Sequence, residues 1–171
     1  MSQPIVTRPV LPEDADAISA LHARAFGPGR YVRTAYRVRE GSGLRSVHCR
    51  VCEIGGQLVA AVRFTPIRIG GRGDALLLGP LAVDPAFANK GHGRNLVAAA
   101  LSEARAAGIA LVVLVGDEPY YRRLGFQRIP RGQIRMPGPV DPDRLLAVEL
   151  APGALAHHSG LIAAARDTEL P

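Results

Sequence analysis

The sequence predicts a mixed α/β domain of the α+β class, with a central mixed sheet of about six or seven strands flanked by about four helices. Three observations carry that expectation. Two glycine turns, Gly55-Gly56 and the run 70–73, separate three strand-like segments, the pattern of an antiparallel meander. Residues 109–115, IALVVLV, form a continuous apolar run rich in β-branched side chains, as in a strand covered on both faces. Between the meander and this run lies an alanine-rich helical segment, so the strands on either side of it should run parallel.

In chain order, residues 5–8 read as a short strand. Pro12-Glu13-Asp14 then opens a helix, because proline suits a first turn and acidic side chains suit its partial positive charge. Ala17, Ile18, Leu21 and Ala25 recur at helical spacing and bury one face, and Gly27-Pro28-Gly29 ends the segment. Residues 31–39 predict a second, strongly basic helix closed by Gly41-Ser42-Gly43. Strands over 45–54 and 58–69 flank the Gly55-Gly56 turn, and the central strand follows over 76–83. Gly79-Pro80 interrupts that strand and predicts a bulge, and Asp84-Pro85 stops it. A helix starts after Gly91 and ends at Gly108. Beyond the 109–115 strand, Gly116-Asp117-Glu118-Pro119 introduces a short helix over 120–124, ended by Gly125. Residues 126–129 and 144–150 read as the remaining strands, 151–160 as a turn region, and 163–171 as a polar tail expected to be loosely held. No repeat or linker divides the 171 residues, so one domain is expected, with its core over about 5–150.

Residues 76–101 are the stretch the rest is organised around. Ala88-Asn89-Lys90-Gly91-His92-Gly93-Arg94 is a glycine-containing turn that enters a helix. The first amides of a helix lack intrahelical acceptors and, with the helix dipole, form an anion site. Gly91 and Gly93 let a bulky anion approach the backbone, and Lys90 and Arg94 add positive charge. The turn therefore reads as a phosphate or pyrophosphate cradle, against the alternative of a plain loop. No GxxxxGK[ST] occurs, which excludes a P-loop. A dinucleotide fingerprint is excluded because Leu96 stands where its third glycine belongs.

LGPLAVDPAFANKGHGRNL resembles the signature segment of the GNAT (Gcn5-related) N-acetyltransferases, in which a bulged strand precedes [Q/R]xxGx[G/A] and a helix. GDEPYYRRLGF resembles the second signature of that family, a tyrosine ahead of a glycine-aromatic pair. The resemblance spans about 5–150 and is strongest to a bacterial branch of predicted N-acetyltransferases. It implies the GNAT acyl-CoA N-acyltransferase fold, with acetyl-CoA as cosubstrate and no metal. It further implies that loop amides hold the pyrophosphate while the bulged strand pairs with the pantetheine arm. Carried over, the cofactor-binding candidates are Leu81, Ala82 and Val83 on the strand and Asn89, Lys90, Gly91, His92, Gly93 and Arg94 on the turn. Tyr120 and Tyr121 complete the set. Ala88 stands where the family usually has Gln or Arg, which leaves the cradle to rest on backbone amides.

The chemistry implied is direct attack of a primary amine on a thioester, in a ternary complex. The tetrahedral oxygen needs a donor where charge develops. A bulge frees strand amides, which makes those of Leu81 and Val83 candidates. The leaving thiolate is helped by an acid, and Tyr121 takes that role by its spacing to Leu124-Gly125-Phe126, with Tyr120 behind it. The alternative is that both tyrosines pack on the sheet. An alkyl amine with a pKa near 10.4 must lose a proton before attack. Asp117, Glu118 and His48 are candidate bases, and none is assigned, since Asp117 equally suits a helix cap.

Net charge is +6, carried almost wholly by arginine, with Lys90 the only lysine. The arginines are spread along the chain without interleaved aromatics, so solvated surface charge is expected rather than a nucleic-acid partner, and a polyanionic cofactor would also benefit from the basic field. Arg, Ala, Gly and Pro richness points to a GC-rich bacterial genome. No apolar run is long enough to span a membrane and the N-terminus lacks a leader pattern, which predicts a cytoplasmic protein. Cys49 and Cys52 form a CxxC without a second pair, so free thiols are expected rather than zinc ligands. His157-His158 reads as surface. Three classes stay open: an N-acetyltransferase for a small-molecule or protein amine, a non-catalytic acyl-CoA-binding module of the same fold, and a basic nucleic-acid-binding protein. A monomer or homodimer fits each. In this family the acceptor pocket is built by variable segments, here about 26–44 and 127–143.

Overall fold

The computed structural model describes residues 2–26 and 46–165. The expected basic helix over 31–39 and most of the variable segment 26–44 lie outside the described residues. Strand β1 (Ile5–Pro9) leads through a 3₁₀ turn (Pro12–Asp14) into helix α1 (Ala15–Phe26). Asp14 is buried there, accepting the Leu11 N–H at 2.7 Å and a bidentate pair from Arg8 at 2.7 and 2.9 Å. Arg8 also donates to Glu53, so one guanidinium ties β1 to the helix start and to the next strand.

The meander follows as β2 (Arg50–Ile54), β3 (Gln57–Ile69) and β4 (Arg72–Val83). Next come α2 (His92–Ala106), β5 (Leu111–Val115), α3 (Glu118–Arg122), β6 (Gln127–Arg128), β7 (Ile134–Arg135), β8 (Leu145–Glu149) and β9 (Gly160–Ala164). The sheet order is β1-β2-β3-β4-β5-β8-β6, and β9 pairs with β3 and β7. Neighbours are antiparallel except β4–β5, and β7–β9, which are parallel. The mixed sheet is the expected one, with nine strands among the described residues.

The two strands without a sequence signal are β7 and β9. β7 is two residues long, too short for periodicity. β9 exists because β3 outlasts β2: residues 57–62 of β3 pair with β2, and Ile67, Arg68 and Ile69 are left with an open edge that β9 covers. Residues 163 and 164, expected at the start of a loose tail, are therefore strand. His158 is a second correction. It is 1% exposed rather than on the surface, because the chain before β9 folds back over the start of β4. Its Nδ1 lies 2.7 Å from the Ala154 carbonyl and its Nε2 2.7 Å from Asp74.

Two layers of core flank the sheet. On one side α2 packs through Leu96, Val97, Ala100 and Ala104 onto a cluster containing Phe64, Leu76, Leu78 and Leu114. On the other side α1 packs through Leu21 onto Val51, Ala61 and Ala82, and a second cluster gathers Ile67, Leu77, Val113 and Ile162. The all-apolar β5 follows from this double cover. Cys49 and Cys52 are free and buried, as expected, and burial pushes the Cys52 thiol up, away from reactivity.

Candidate functional site

The central strand β4 has different partners along its length. Ala75, Leu76 and Leu77 pair in parallel with Leu111, Val112 and Val113. Beyond Leu77 the ladder with β5 stops, while β4 stays on β3 as far as Val83 and β5 stays on β8 as far as Val115. The register on β3 also shifts here: Val62 faces Leu81 and Phe64 faces Leu78, so Arg63 alone opposes Gly79-Pro80. That is the predicted bulge.

Strand alternation then decides which amides face the opening. The Asp84 N–H donates to the Val59 carbonyl at 2.8 Å. Antiparallel pairs alternate between bonded and unbonded. Leu81 opposite Val62 and Val83 opposite Ala60 are consequently unbonded pairs, and their N–H groups turn away from β3 towards the edge that β5 has left. The amide of Ala82 turns the other way. Its side chain packs in the α1 cluster, whereas Leu81 and Val83 face α2.

Past β4, Asp84 caps a 3₁₀ turn (Pro85–Phe87) by accepting the Ala86 N–H at 2.9 Å. The same carboxylate, buried, receives Nε of Arg24 from α1 at 3.1 Å. The chain then passes through Ala88 and Asn89 to Gly91, which caps α2 at φ +84°, a left-handed conformation that favours glycine. The first intrahelical bond runs from Asn95 N–H to Gly91 C=O at 2.9 Å, and no side chain caps the helix. The amides of His92, Gly93 and Arg94 precede that bond and form the open N-terminus of a helix of 15 residues. Lys90 lies 5.6 Å over the Phe87 ring, and Phe87 meets the His92 ring at 6.5 Å.

Gly93 is closely surrounded. A Cβ there would stand 3.0 Å from the Tyr120 hydroxyl and 3.0 Å from Val83 Cγ2, with Leu81 Cδ2 at 3.6 Å. The turn, the bulged strand and α3 therefore converge on one glycine. Burial pushes the Tyr120 hydroxyl up from its ordinary range, against the opposing pull of Arg94, so it stays protonated. The neighbouring Tyr121 turns inward. Its ring crosses Phe126 edge-on at 5.6 Å and Tyr120 at 4.9 Å, and it lies against Gly116, the first residue after β5.

The structure brings together Leu81, Val83, Gly93, Arg94, Tyr120 and Tyr121 around the opening, with Asn89, Lys90, Gly91 and His92 on the adjoining turn. It does not bring the candidate bases there. His48 precedes β2, two strands away from β4, beside Arg50 and Glu103. Glu118 is paired with Arg122 and Arg128, led by Arg128, which hold its carboxyl below the usual range. Asp117 is exposed before α3, and its side chain makes no cap bond. The residues that sequence reasoning missed are Asp84 and Arg24. Asp84-Pro85 reads as a strand stop, and nothing local links it to a residue sixty positions earlier. Among the described residues no group of three or more His, Cys, Asp or Glu is placed to hold a metal, and no helix is long and apolar enough to cross a membrane.

Comparison with known proteins agrees with this geometry. Residues 6–129 match the model of the acetyltransferase (GNAT) domain. The chain is 30% identical over 160 residues to the uncharacterized N-acetyltransferase YhbS of Escherichia coli strain K12, covering 92% of this chain and 95% of that protein. Among solved structures, it matches the GNAT family N-acetyltransferase YhbS from Escherichia coli in complex with CoA at a TM-score of 0.82 and 28% identity, over 96% of this chain and 92% of the other. It matches a GNAT family acetyltransferase from Brucella melitensis in complex with acetyl-CoA at a TM-score of 0.61 and 30% identity, over 85% and 96% of the two chains.

Proposed function

Because this chain belongs to the GNAT acetyltransferase family, we propose that it transfers the acetyl group of acetyl-CoA to a primary amine by direct attack in a ternary complex. The observation that carries the proposal is the end of the β4–β5 ladder at Leu77–Val113, beside the open amides of α2. An extended arm with amide groups can pair with an unpartnered strand edge, and an anion can sit on a helix N-terminus. Both features occur here in the order that pantetheine and pyrophosphate occur in CoA. The relatives bound to CoA and to acetyl-CoA support the same reading.

In this proposal the amides of His92, Gly93 and Arg94 hold the pyrophosphate, with Lys90 and Arg94 adding charge at the rim. The amides of Leu81 and Val83 hold the pantetheine arm and donate to the carbonyl oxygen as it gains charge. The amine nitrogen forms a bond to the carbonyl carbon, the carbon–sulfur bond breaks, and the electron pair leaves on sulfur. One proton departs from the amine and one reaches the thiolate. Tyr121 is assigned as the donor of that second proton, supported by its spacing to Leu124-Gly125-Phe126 and by its place against Gly116 at the mouth of the gap. Tyr120, whose hydroxyl lies at Gly93, is assigned to cofactor contact. A bacterial cytoplasm and a monomer or homodimer are part of the same proposal, the bacterial setting supported by the Escherichia coli relatives.

Release of free CoA thiol from acetyl-CoA, followed across a panel of primary amines, tests the proposal. Amine-dependent release is the expected result. Tight CoA binding with no release on any amine would favour the non-catalytic module instead.

A further inference from the structure

We infer that Gly116 is a positioning residue for acetyl transfer: its bare backbone is the seat that holds the Tyr121 ring at the end of β5. This inference rests on the acetyl-transfer reading with Tyr121 as its acid, and deepens it by naming the residue that places the hydroxyl. A Cβ on Gly116 would stand 2.7 Å from Tyr121 Cε2 and 3.1 Å from Cδ2. Ordinary contact begins at 3.4 Å. The ring therefore occupies the space that a side chain at 116 would need.

Backbone conformation does not account for this glycine. Gly91 and Gly125 stand at φ +84° and +92°, where glycine is favoured. Gly116 lies outside the left-handed region and is buried. What the position requires is the absence of a side chain on the side of Tyr121.

The neighbours hold the seat in place. The Gly116 N–H donates to the Arg144 carbonyl at 2.9 Å, which extends the β5–β8 ladder one residue beyond the Val115–Leu145 pair. Leu114 Cδ1, 2.9 Å from the same Cβ position, belongs to a side chain 1% exposed in the cluster under α2. The Tyr121 N–H donates to the Asp117 carbonyl at 3.1 Å, and the Tyr121 carbonyl accepts the Phe126 N–H at 3.2 Å. Phe126, fully buried, meets the ring edge-on at 5.6 Å. A methyl group at 116 is thus accommodated by moving the half-buried tyrosine ring, which must make up the difference between 2.7 Å and 3.4 Å. Cε2 is bonded to the carbon that bears the hydroxyl, so the hydroxyl moves with it. A proton donor acts within about 2.6–3.2 Å, and a misplacement of about 1 Å can cost about 10²-fold. The cradle is affected little, because Tyr120 and not Tyr121 stands at Gly93.

The test is a double-mutant cycle on the whole chain, using 2-phenylethylamine, spermidine and free lysine as amines and keeping the fastest for all variants. CoA release by wild type is measured first, and release on none of the three would sink the acetyl-transfer reading itself. With release present, single-turnover rates isolate the chemical step. Gly116→Ala should lower that rate between about tenfold and about 10²-fold, no further than Tyr121→Phe, with acetyl-CoA affinity by calorimetry within about twofold of wild type. In the Tyr121→Phe background the new methyl group meets the same ring carbons but no hydroxyl. There the melting temperature should fall as much as it does in wild type, while the rate changes less than about twofold. Gly116→Ala combined with Leu114→Val, which returns room on the opposite side, keeps the test open if Gly116→Ala alone does not fold. An unchanged rate in folded Gly116→Ala, or an equal loss of rate in both backgrounds, would overturn the inference. So would a wild-type rate in Tyr121→Phe, which would leave Gly116 no acid to place.

Discussion

The Tyr120 hydroxyl stands 3.0 Å from the place a side chain on Gly93 would occupy. Gly93→Ala therefore drives a methyl group between α2, Val83 and α3, and overpacking of this kind costs about 1–3 kcal/mol. Tyr120 is 38% exposed, so the displacement falls on it and on the proposed cofactor site. Acetyl-CoA affinity should drop about tenfold, with the melting temperature lowered by only a few degrees. Calorimetry beside a thermal melt checks both. Unchanged affinity would remove Gly93 from the cradle.

Asp84 joins the turn that follows β4 to α1. The Arg24 side chain of the pair is 45% exposed, so the ion pair itself contributes about 0–1 kcal/mol. The bond to the Ala86 amide is a cap, of about 0.5–2 kcal/mol. Asp84→Asn keeps the cap and should change KM for acetyl-CoA less than threefold. Asp84→Ala loses both and should raise that KM about tenfold, with kcat little altered. Equal effects from the two substitutions would place the weight on the ion pair instead.

Burial, followed by the charge of Arg50, holds the His48 ring below its ordinary range. A depressed folded pKa means the unfolded chain binds its proton first as pH falls. Stability is then complete above the unfolded value near 6.5 and declines as pH drops through the folded one. The urea midpoint should fall between pH 7.5 and pH 5, and His48→Gln should lessen that fall. Identical pH dependence in the two proteins would show that His48 is not coupled to folding.

Tyr121→Phe should lower kcat about 10²-fold, the lower end of general acid assistance, because a thiolate is already a good leaving group. Acetyl-CoA binding should be nearly intact. Tyr120→Phe should leave kcat close to wild type. A Tyr121→Phe rate within twofold of wild type, with chemistry rate-limiting, would remove Tyr121 from the mechanism.

Local chemistry was legible and distant pairing was not. The glycine spacing at 91 and 93 marks a helix entry, and Gly79-Pro80 marks a bulge, because both depend on adjacent residues. The apolar run of β5 announces its double cover. β9 carries no signal, since its strand character comes from an edge of β3 nearly a hundred residues earlier. His158 reads as surface in sequence and is buried for the same reason. Tyr120 and Tyr121 are adjacent in sequence, yet one faces Gly93 and the other Gly116. The link from Arg24 to Asp84 is likewise a product of the fold alone.

The central claim is that the turn before α2 binds the pyrophosphate of acetyl-CoA. Calorimetric titration of wild type and Gly91→Glu with acetyl-CoA tests it most directly, with circular dichroism to confirm the fold. The added carboxylate places bulk and like charge on the open amides, so binding should be measurable in wild type and lost in the variant. Lys90→Ala, at the rim, should weaken it only modestly. Equal affinity in wild type and folded Gly91→Glu would contradict the account.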